Sequence, residues 1–289
     1  MFSKILVPLD GSDHSAQIVW QVKRLALAEQ SEIELFTAVV PILESWRERH
    51  DDRKDRDERH PTLRLQEAER HLEALAQTLR DAGLTAHARV ERGHASDSIL
   101  RRAEEIQASL IAVATHGRSG PSLWLRGSVT QRLLQHSGVP VLVLNPSAKE
   151  EAAEGVLFKR VLVPLDGSTR SAQVLPLAQQ FATAHQAELV LHAVGATPVD
   201  NPVNDGMVDY LERLQQKLAD AGANARVRAD YGDPAKEILT AVEDEQIDLV
   251  VIGTHGQSGL EKWVMGSVTE KVIRRCPTPL LVQRTASTS

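Results

Sequence analysis

The chain repeats itself once along its length. The stretch "KILVPLDGSDHSAQ" at 4–17 returns as "RVLVPLDGSTRSAQ" at 160–173, and "HGRSGPSLWLRGSVT" at 116–130 returns as "HGQSGLEKWVMGSVT" at 255–269. The matches keep the same order in both halves. Their period of roughly 150 residues is the size of a whole domain and not of a solenoid unit. The sequence therefore predicts two tandem copies of one domain.

The boundary between the copies is marked by a change in composition. The stretch "NPSAKEEAAEG" at 145–155 is small, polar and without apolar periodicity. We therefore predict a first domain at 1–146, a linker at 147–157 and a second domain at 158–289. The first copy alone carries the charged stretch "WRERHDDRKDRDERHPT" at 46–62, which we interpret as a solvated loop or exposed helical extension. A lid over a ligand site is the alternative interpretation, and no metal site is predicted there, because its histidines lack ligand spacing.

Charge and composition exclude several classes of protein. The 289 residues carry a net charge of −6, which argues against general nucleic-acid binding. A small anionic ligand is still compatible with that charge, because backbone amides bind phosphate without any net positive charge. Cys276 is the one cysteine, so no disulfide can form within the chain. No apolar run approaches the roughly 18 residues of a membrane span, and we predict a cytoplasmic protein that does not associate with membranes.

Alternating strand and helix patterns in the second copy predict an α/β fold. Short apolar runs such as "RVLVPL" and "IDLVVIG" alternate with amphipathic stretches such as "DYLERLQQKLADAG". This alternation requires a parallel sheet with helices on both faces, and right-handed crossovers lead to a doubly wound sheet of five strands in the order 3-2-1-4-5. Ligands bind such sheets where the strand order reverses, between strands 1 and 4. The loops leaving those strands carry "LDGS" and "GTHGQSG", the two motifs that the copies share.

Local signals predict where three helices of the second copy begin. Residues 169–186 have helical spacing throughout, with Val174, Leu177 and Phe181 on one side. Asp233 is the expected N-cap of a later helix, and Pro234 is expected at the first position of that helix. A further helix is expected over 267–276.

The glycines of the second motif point to a phosphate site. Gly266 directly precedes the helix that begins "SVTEKV", and Ser267 with Glu270 has the spacing of a capping box. In the first copy, Ser128 with Gln131 has the same spacing. Free amides at a helix start bind anions, and glycine lets phosphate oxygens approach the backbone closely. The alternative is that the glycines only make turns and the serine is only a cap.

Two further polar positions accompany the glycine loops. Asp10 and Asp166 follow the first strand of each copy, where they either form a turn or cap, or accept a hydrogen bond from an adenine amine or a ribose hydroxyl, or help to hold a phosphate-bound Mg²⁺. His116 and His255 lie in the glycine loops. Neither has the partners of a nucleophilic triad, so no catalytic residue is predicted and a structural or phosphate-facing role is favoured for both.

The combined motifs resemble the universal stress protein family in its tandem form. The resemblance rests on "VPLDGS" at strand 1, on G-x2-G-x9-G-[ST] after strand 4 and on a closing "PxLLV" strand, and it covers nearly the whole chain. It implies two adenine nucleotide α-hydrolase-like domains that bind ATP, with Mg²⁺ as a candidate companion of the phosphates. It also implies pairing through strand 5, as a homodimer or as a pseudo-dimer of "VPVLVL" with "TPLLVQ" within one chain.

The same resemblance implies a set of cofactor-binding residues in each copy. Ala114 stands in the first copy where the motif of the second has its first glycine, and this predicts that the C-terminal site is the stronger. The second-copy set is Asp166, Val194, Gly253, Gly256, Gly266, Ser267, Val268 and Thr269, and the first-copy set is Asp10, Val39, Gly117, Gly127, Ser128, Val129 and Thr130.

Three functions are compatible with these motifs. The leading hypothesis is a stress-response protein that binds ATP and acts by ligand-dependent regulation, because a nucleotide loop is present without a catalytic constellation. A slow ATPase or nucleotide-transfer enzyme is the second, with His255 or Asp166 assisting a Mg²⁺-bound phosphate. A scaffold that binds protein partners and no nucleotide is the third.

Overall fold

A computed structural model describes residues 1–40, 61–114, 129–144, 158–195, 202–255 and 265–285. The predicted linker at 147–157 and residues 46–60 of the charged stretch lie outside these ranges. The chain divides into two compact units, Phe2–Leu133 and Leu134–Ser289, with Met1 assigned to the second. Each unit is considered by itself.

The first unit alternates strands and helices as the sequence predicts. Its four described strands are all parallel, in the order β3-β2-β1-β4, and buried apolar side chains line them. The elements are β1 (Lys4–Pro8), α1 (Asp13–Ala16), α2 (Val19–Glu29), β2 (Glu32–Val39), α3 (Pro61–Asp81), β3 (Ala86–Arg92), α4 (Ala95–Glu105), β4 (Leu110–Ala114) and α5 (Val129–His136), with the division between units falling inside α5.

The second unit contains the whole second repeat. The strands of that repeat run parallel in the order β8-β7-β6-β9-β10, which is 3-2-1-4-5 counted within the repeat. The elements are β5 (Val141–Leu144), β6 (Arg160–Pro164), α6 (Thr169–Ala172), α7 (Leu175–His185), β7 (Glu188–Gly195), α8 (Pro202–Asp220), β8 (Ala225–Tyr231), α9 (Pro234–Asp244), β9 (Leu249–Gly253), α10 (Ser267–Arg275) and β10 (Leu280–Gln283).

The sheet of the second unit has a sixth strand that comes from the first repeat. β5 lies antiparallel to β10, with Leu281 opposite Leu142. All four side chains of β5 are buried. Without this partner, β10 would present an unpaired edge of backbone donors and acceptors, which is a site of aggregation in many sheets. The last strand of the first repeat therefore completes the sheet of the second unit.

The helix predicted over 169–186 is interrupted in the structure. α6 ends at Ala172, α7 begins at Leu175, and the predicted apolar side of the segment is buried. Pro176 opposes a continuous helix, because it has no N–H and its ring would meet the carbonyl of Ala172. The first repeat has the same interruption between α1 and α2 without a proline. The proline is therefore compatible with the break but is not its only cause.

The start of α9 agrees with the sequence signals. The Asp233 carboxylate accepts the Lys236 N–H at 3.0 Å, and Pro234 is the first helical residue. The predicted N-cap is confirmed. None of the described helices is both long and apolar enough to cross a bilayer.

Candidate functional site

The two shared motifs begin side by side in the second unit. β6 and β9 are neighbouring parallel strands, with Val161 opposite Leu249 and Leu162 opposite Val250. α6, which follows β6, packs against β9. The loops that leave β6 and β9 therefore start together at the carboxyl edge of the sheet, where the strand order reverses.

Asp166 forms the turn that follows β6. Its Oδ1 accepts the Ser168 N–H at 3.0 Å and the Ser168 hydroxyl at 2.6 Å, while its own N–H donates to Ser171 Oγ at 3.3 Å. Gly167 has a φ of +80°, a conformation that glycine adopts without steric cost. The turn role that the sequence allowed is therefore present. An ionised carboxylate has about four acceptor positions, so it can also accept from a ligand.

Asp10 makes the same turn in the first unit. Its Oδ1 accepts the Ser12 N–H at 3.0 Å and the Ser12 hydroxyl at 2.6 Å, and Gly11 has a φ of +77°. The two repeats thus build this loop from the same bonds. The loop after strand 1 gives no reason for the two sites to differ.

A hydrogen-bonded cluster holds the chain just past β9. Thr254 N–H donates to Gln283 O at 3.0 Å, and Thr254 Oγ1 accepts the Thr285 N–H at 3.2 Å. Thr285 Oγ1 in turn accepts the His255 N–H at 3.2 Å, and His255 Nδ1 lies 3.0 Å from Thr254 Oγ1. His255 is thus tied into the protein through both its backbone and its ring, and the structural or phosphate-facing role favoured from the sequence stays a prediction.

The start of α10 is fastened to the same place. Gly266 N–H donates to Thr254 O at 2.9 Å, and Thr269 Oγ1 donates to Gly253 O at 2.9 Å. Thr269 is buried, so this bond is made away from water. The first turn of the helix is therefore held against the carboxyl end of β9 by two hydrogen bonds.

The predicted capping box at Ser267 and Glu270 is wrong. Gly266 is the N-cap, with φ −56° and ψ 138°, and among the described residues no side chain caps the helix. Ser267 is already the first helical residue and is exposed, which puts its hydroxyl one position too late to cap. The first backbone bond of α10 runs from Glu270 N–H to Gly266 O. The amides of Ser267, Val268 and Thr269 precede that bond and form the positive end of the helix.

An uncapped helix start of this kind fits the phosphates that the sequence predicts. Backbone donors and the helix dipole both favour a negative group at this point. Gly266 itself has an ordinary φ, and a methyl group there would meet Thr254 O at 3.4 Å. Neither backbone strain nor a severe clash with the described residues explains this glycine. Close approach of a ligand to the backbone would explain it.

Gly253 has a different explanation. A methyl group at this position would lie 2.8 Å from Thr285 Cγ2 and 3.5 Å from Val174 Cγ1. The first of these distances is too short for two carbon atoms, so the neighbouring threonine excludes a side chain here. The end of β4 carries Ala114 at the equivalent position of the first repeat. The difference between the repeats at this point therefore involves packing inside the protein.

The main chain of Val194 faces the crevice in the second repeat. His192 O accepts a hydrogen bond at 2.8 Å from the chain just past β6, and Gly195 O accepts from Gly232 N–H at 3.1 Å on the β8 side. Backbone groups of alternate residues in a parallel strand point to opposite neighbours. The backbone N–H and C=O of Val194 therefore point to the β6 side of the strand, beyond the last residue of β6. An adenine contact in the crevice requires this direction.

In the first repeat, the expected main-chain contact lies one residue before Val39, the residue assigned from the sequence. Phe36 O accepts from Leu9 N–H at 2.8 Å, and Val39 O accepts from Gly93 N–H at 3.0 Å. The carbonyl of Val39 is therefore directed to the β3 side. Ala38 points toward β1 and is the counterpart of Val194. The geometry favours Ala38 over Val39 as the main-chain contact of the first repeat.

Several predicted site residues lie outside the described residues. At the start of α5, Val129 is exposed and Thr130 is buried, as Thr269 is at the equivalent place in α10. Within the described ranges, no group of three or more His, Cys, Asp or Glu is arranged to hold a metal ion. The predicted residues outside the ranges are Gly117, Gly127 and Ser128 in the first repeat, Gly256 in the second, and His116.

The sequence reasoning missed two polar groups of the second unit. Tyr210 on α8 and His192 in β7 each have a buried polar atom without a hydrogen-bond partner among the described residues, namely Tyr210 Oη and His192 Nδ1. The histidine was visible as one polar residue inside the apolar run "ELVLHAVG". The tyrosine carried no such signal, because it sits beside the apolar stripe of a helix.

His192 makes the folding stability depend on pH. The side chain is 1% exposed, and its Nε2 lies 2.9 Å from Asp230 Oδ2. Burial lowers the pKa of His192 below its ordinary 6.5, against the opposing effects of Asp230 and Glu237 and together with the nearby charge of Arg228. Above pH 6.5 the histidine is neutral in both states. As the pH falls below that value, the unfolded chain takes up a proton that the folded chain resists, so acid lowers the stability.

We expect His192→Phe to flatten this dependence. The first repeat has Phe36 at the same place, and Arg228 still pairs with Asp230 at 2.6 Å. Between pH 6.5 and 5, the free energy of unfolding should fall more steeply for the unsubstituted chain than for the variant. The difference between the two slopes is at most about 1.4 kcal/mol per pH unit, which is the value for one proton. Denaturant titrations across this range measure the slope, with His94→Phe at an exposed position as the control. Equal slopes for all three proteins would contradict the expectation.

Comparison with known proteins gives the class to which this fold and site belong. The model of the universal stress protein family matches residues 1–145 and again 157–284. The chain therefore belongs to the universal stress protein family, in its tandem form.

Individual relatives agree with this assignment. A universal stress protein of Mycolicibacterium smegmatis is 27% identical over 297 residues, covering 97% of this chain and 96% of the relative. The universal stress protein YxiE of Bacillus subtilis is 32% identical over 148 residues, covering 44% of this chain and all of the relative. The crystal structure of a universal stress protein from Archaeoglobus fulgidus has a TM-score of 0.74 at 24% identity, covering 98% of this chain and 97% of that one, and so shares the fold.

Proposed function

We propose that this chain is a stress-response protein that binds ATP in its second repeat and acts as a regulator through nucleotide occupancy. The observation that carries the proposal is the start of α10. Its N-cap is a glycine without a capping side chain, and bonds to Thr254 O and Gly253 O hold it at the carboxyl end of β9. This anion-binding end lies at the reversal of strand order, as nucleotide sites do in doubly wound folds.

The parts of the nucleotide have matching positions in this proposal. The phosphates lie against the amides of Ser267, Val268 and Thr269, where Gly266 allows close approach. Asp166 accepts a hydrogen bond from a ribose hydroxyl, since its carboxylate has more acceptor positions than the bonds of the turn use. The main chain of Val194 contacts the adenine. Mg²⁺ accompanies the phosphates as a counter-ion, while the described residues at the start of α10 offer backbone dipoles to them.

The second repeat is favoured over the first because its glycine motif is complete, whereas Ala114 interrupts the motif of the first. We further propose that β5 and β10 join the two repeats as a pseudo-dimer, which their antiparallel pairing supports. Homodimer formation and a cytoplasmic location stay predictions from the sequence.

Calorimetric titration of the nucleotide-free full-length chain with ATP and Mg²⁺ tests the proposal. We expect saturable binding with one strong site per chain, and native mass spectrometry should show one ATP mass bound before any second. No binding at millimolar ATP would overturn the proposal and favour the scaffold hypothesis. Release of phosphate during a long incubation, measured on the same samples, would support slow hydrolysis instead of regulation by occupancy.

A further inference from the structure

Tyr210 lies on α8, beside the apolar face of the helix that packs against the sheet of the second unit. α8 contacts β7 and β8, and its residues Leu211 and Leu218 are buried. The tyrosine ring is partly exposed, but its hydroxyl oxygen is buried and has no hydrogen-bond partner among the described residues. A buried hydroxyl without a partner destabilises the folded state, so native proteins rarely keep one without a use.

The hydroxyl of Tyr210 lies within the electrostatic influence of the Asp166 turn. Burial raises the pKa of Tyr210, and the negative charge of Asp166 raises it further. Asp166 lies in the first loop of the candidate site, in the turn that follows β6. The phenol is therefore protonated at neutral pH, and it lies near enough to that carboxylate to be affected by its charge.

The first repeat has an equivalent group on α3. His71 precedes the buried residues Leu72 and Leu79 as Tyr210 precedes Leu211 and Leu218, at the same separations along the helix. The Nε2 atom of His71 is also buried without a hydrogen-bond partner among the described residues. Tyrosine and histidine share little except a polar atom at the tip of a ring. Both repeats thus have a polar ring atom at the same helix position. A ligand that supplies the missing hydrogen-bond partner would explain both.

We propose that the Tyr210 hydroxyl is a ligand-binding group of the second repeat and hydrogen-bonds a ribose hydroxyl of the nucleotide beside Asp166. An ionised carboxylate can only accept hydrogen bonds, whereas a phenol both donates and accepts. A sugar with neighbouring hydroxyl groups can therefore donate to Asp166 and bond to Tyr210 at once. This inference rests on the proposed function, and it adds a residue and a preference for ribose over deoxyribose.

The experiment compares Tyr210→Phe with the unsubstituted full-length chain, using ATP, 2′-deoxy-ATP and 3′-deoxy-ATP in calorimetric titrations with Mg²⁺. The substitution removes one oxygen atom and keeps the ring. Tyr231→Phe at the end of β8 is the matched control, since Tyr231 is the other tyrosine of the chain. We expect Tyr210→Phe to weaken ATP binding by roughly five- to tenfold, the usual effect of one lost hydrogen bond. One of the two deoxynucleotides lacks the ribose hydroxyl that bonds to Tyr210. The substitution should not change the affinity for that nucleotide, because there is no bond for it to remove.

Thermal unfolding without nucleotide provides the second measurement. Tyr210→Phe should leave the midpoint unchanged or higher, because the lost hydroxyl has no partner among the described residues. Equal losses for all three nucleotides, or no loss for ATP, would overturn the inference while the proposed function stands. Absence of ATP binding to the unsubstituted chain would overturn both. A lower midpoint for Tyr210→Phe would assign the hydroxyl a structural role and also contradict the inference.

Discussion

Replacing Gly266 by aspartate should abolish ATP binding to the second repeat and at the same time make the protein more stable. The residue is the N-cap of α10, in an extended conformation that suits aspartate, and as a glycine it offers no side chain to cap the helix. A capping carboxylate stabilises a helix by about 1 kcal/mol. The same carboxylate would stand where the phosphates are proposed to bind. Two like charges about 4 Å apart near a protein surface repel by about 4 kcal/mol, which corresponds to a loss of more than a hundredfold in affinity.

Gly266→Asn is the control for this prediction. Asparagine has nearly the same shape, also caps helices and adds no charge. It should raise stability in the same way and weaken ATP binding far less. Denaturant unfolding and calorimetric titration of the three proteins separate the two effects. If Gly266→Asp is more stable than the unsubstituted chain and still binds ATP with the same affinity, the phosphates do not bind at the start of α10.

Gly253→Ala should destabilise the protein, and Thr285→Ser should restore it. The added methyl group would lie 2.8 Å from Thr285 Cγ2. Overpacking of this kind costs about 1–3 kcal/mol. Serine at 285 lacks the methyl group but keeps the oxygen that accepts the His255 N–H at 3.2 Å. The double variant should therefore recover most of the lost stability, although Thr285→Ser alone changes it little.

Unfolding titrations of the two single variants and the double variant give the coupling energy between these positions. Additive effects would show that the methyl groups do not meet and would contradict the packing explanation of Gly253. ATP titration of the double variant then addresses Ala114. We expect weaker binding than that of the unsubstituted chain, because Ala114 at the equivalent position interrupts the motif of the first site, which is proposed to be the weaker. A folded double variant that binds ATP as tightly as the unsubstituted chain would show that Ala114 is not the reason for any difference between the two sites.

Much of the fold could be predicted from the sequence, because the relevant signals are local. The repeat identified two copies of one domain, and the family assignment confirms it. The run "IDLVVIG" predicted a strand buried on both faces, and every residue of β9 is buried. The cap at Asp233 depends on a side chain three residues from its partner, a distance that the sequence states directly.

Two errors share one origin, which is that short spacings are ambiguous by a residue. Ser267 and Glu270 have the spacing of a capping box, but Ser267 is already the first residue of α10 and Gly266 is its N-cap. Val39 was assigned through the family resemblance, and the structure favours the residue before it. In a strand, a shift by one residue sends the backbone groups to the opposite neighbour.

The sequence by itself determined the repeat, the alternation of strands and helices, the place of the two loops at the strand-order reversal and the difference between Ala114 and Gly253. These features depend on residues close together in the chain or on direct comparison of two similar segments. Only the tertiary structure showed that Thr285 excludes a side chain at Gly253 and that Tyr210 and His71 hold equivalent buried polar atoms. The physical reason is that these relations join atoms from distant segments, and their distances are set by packing of the whole unit and not by spacing along the chain.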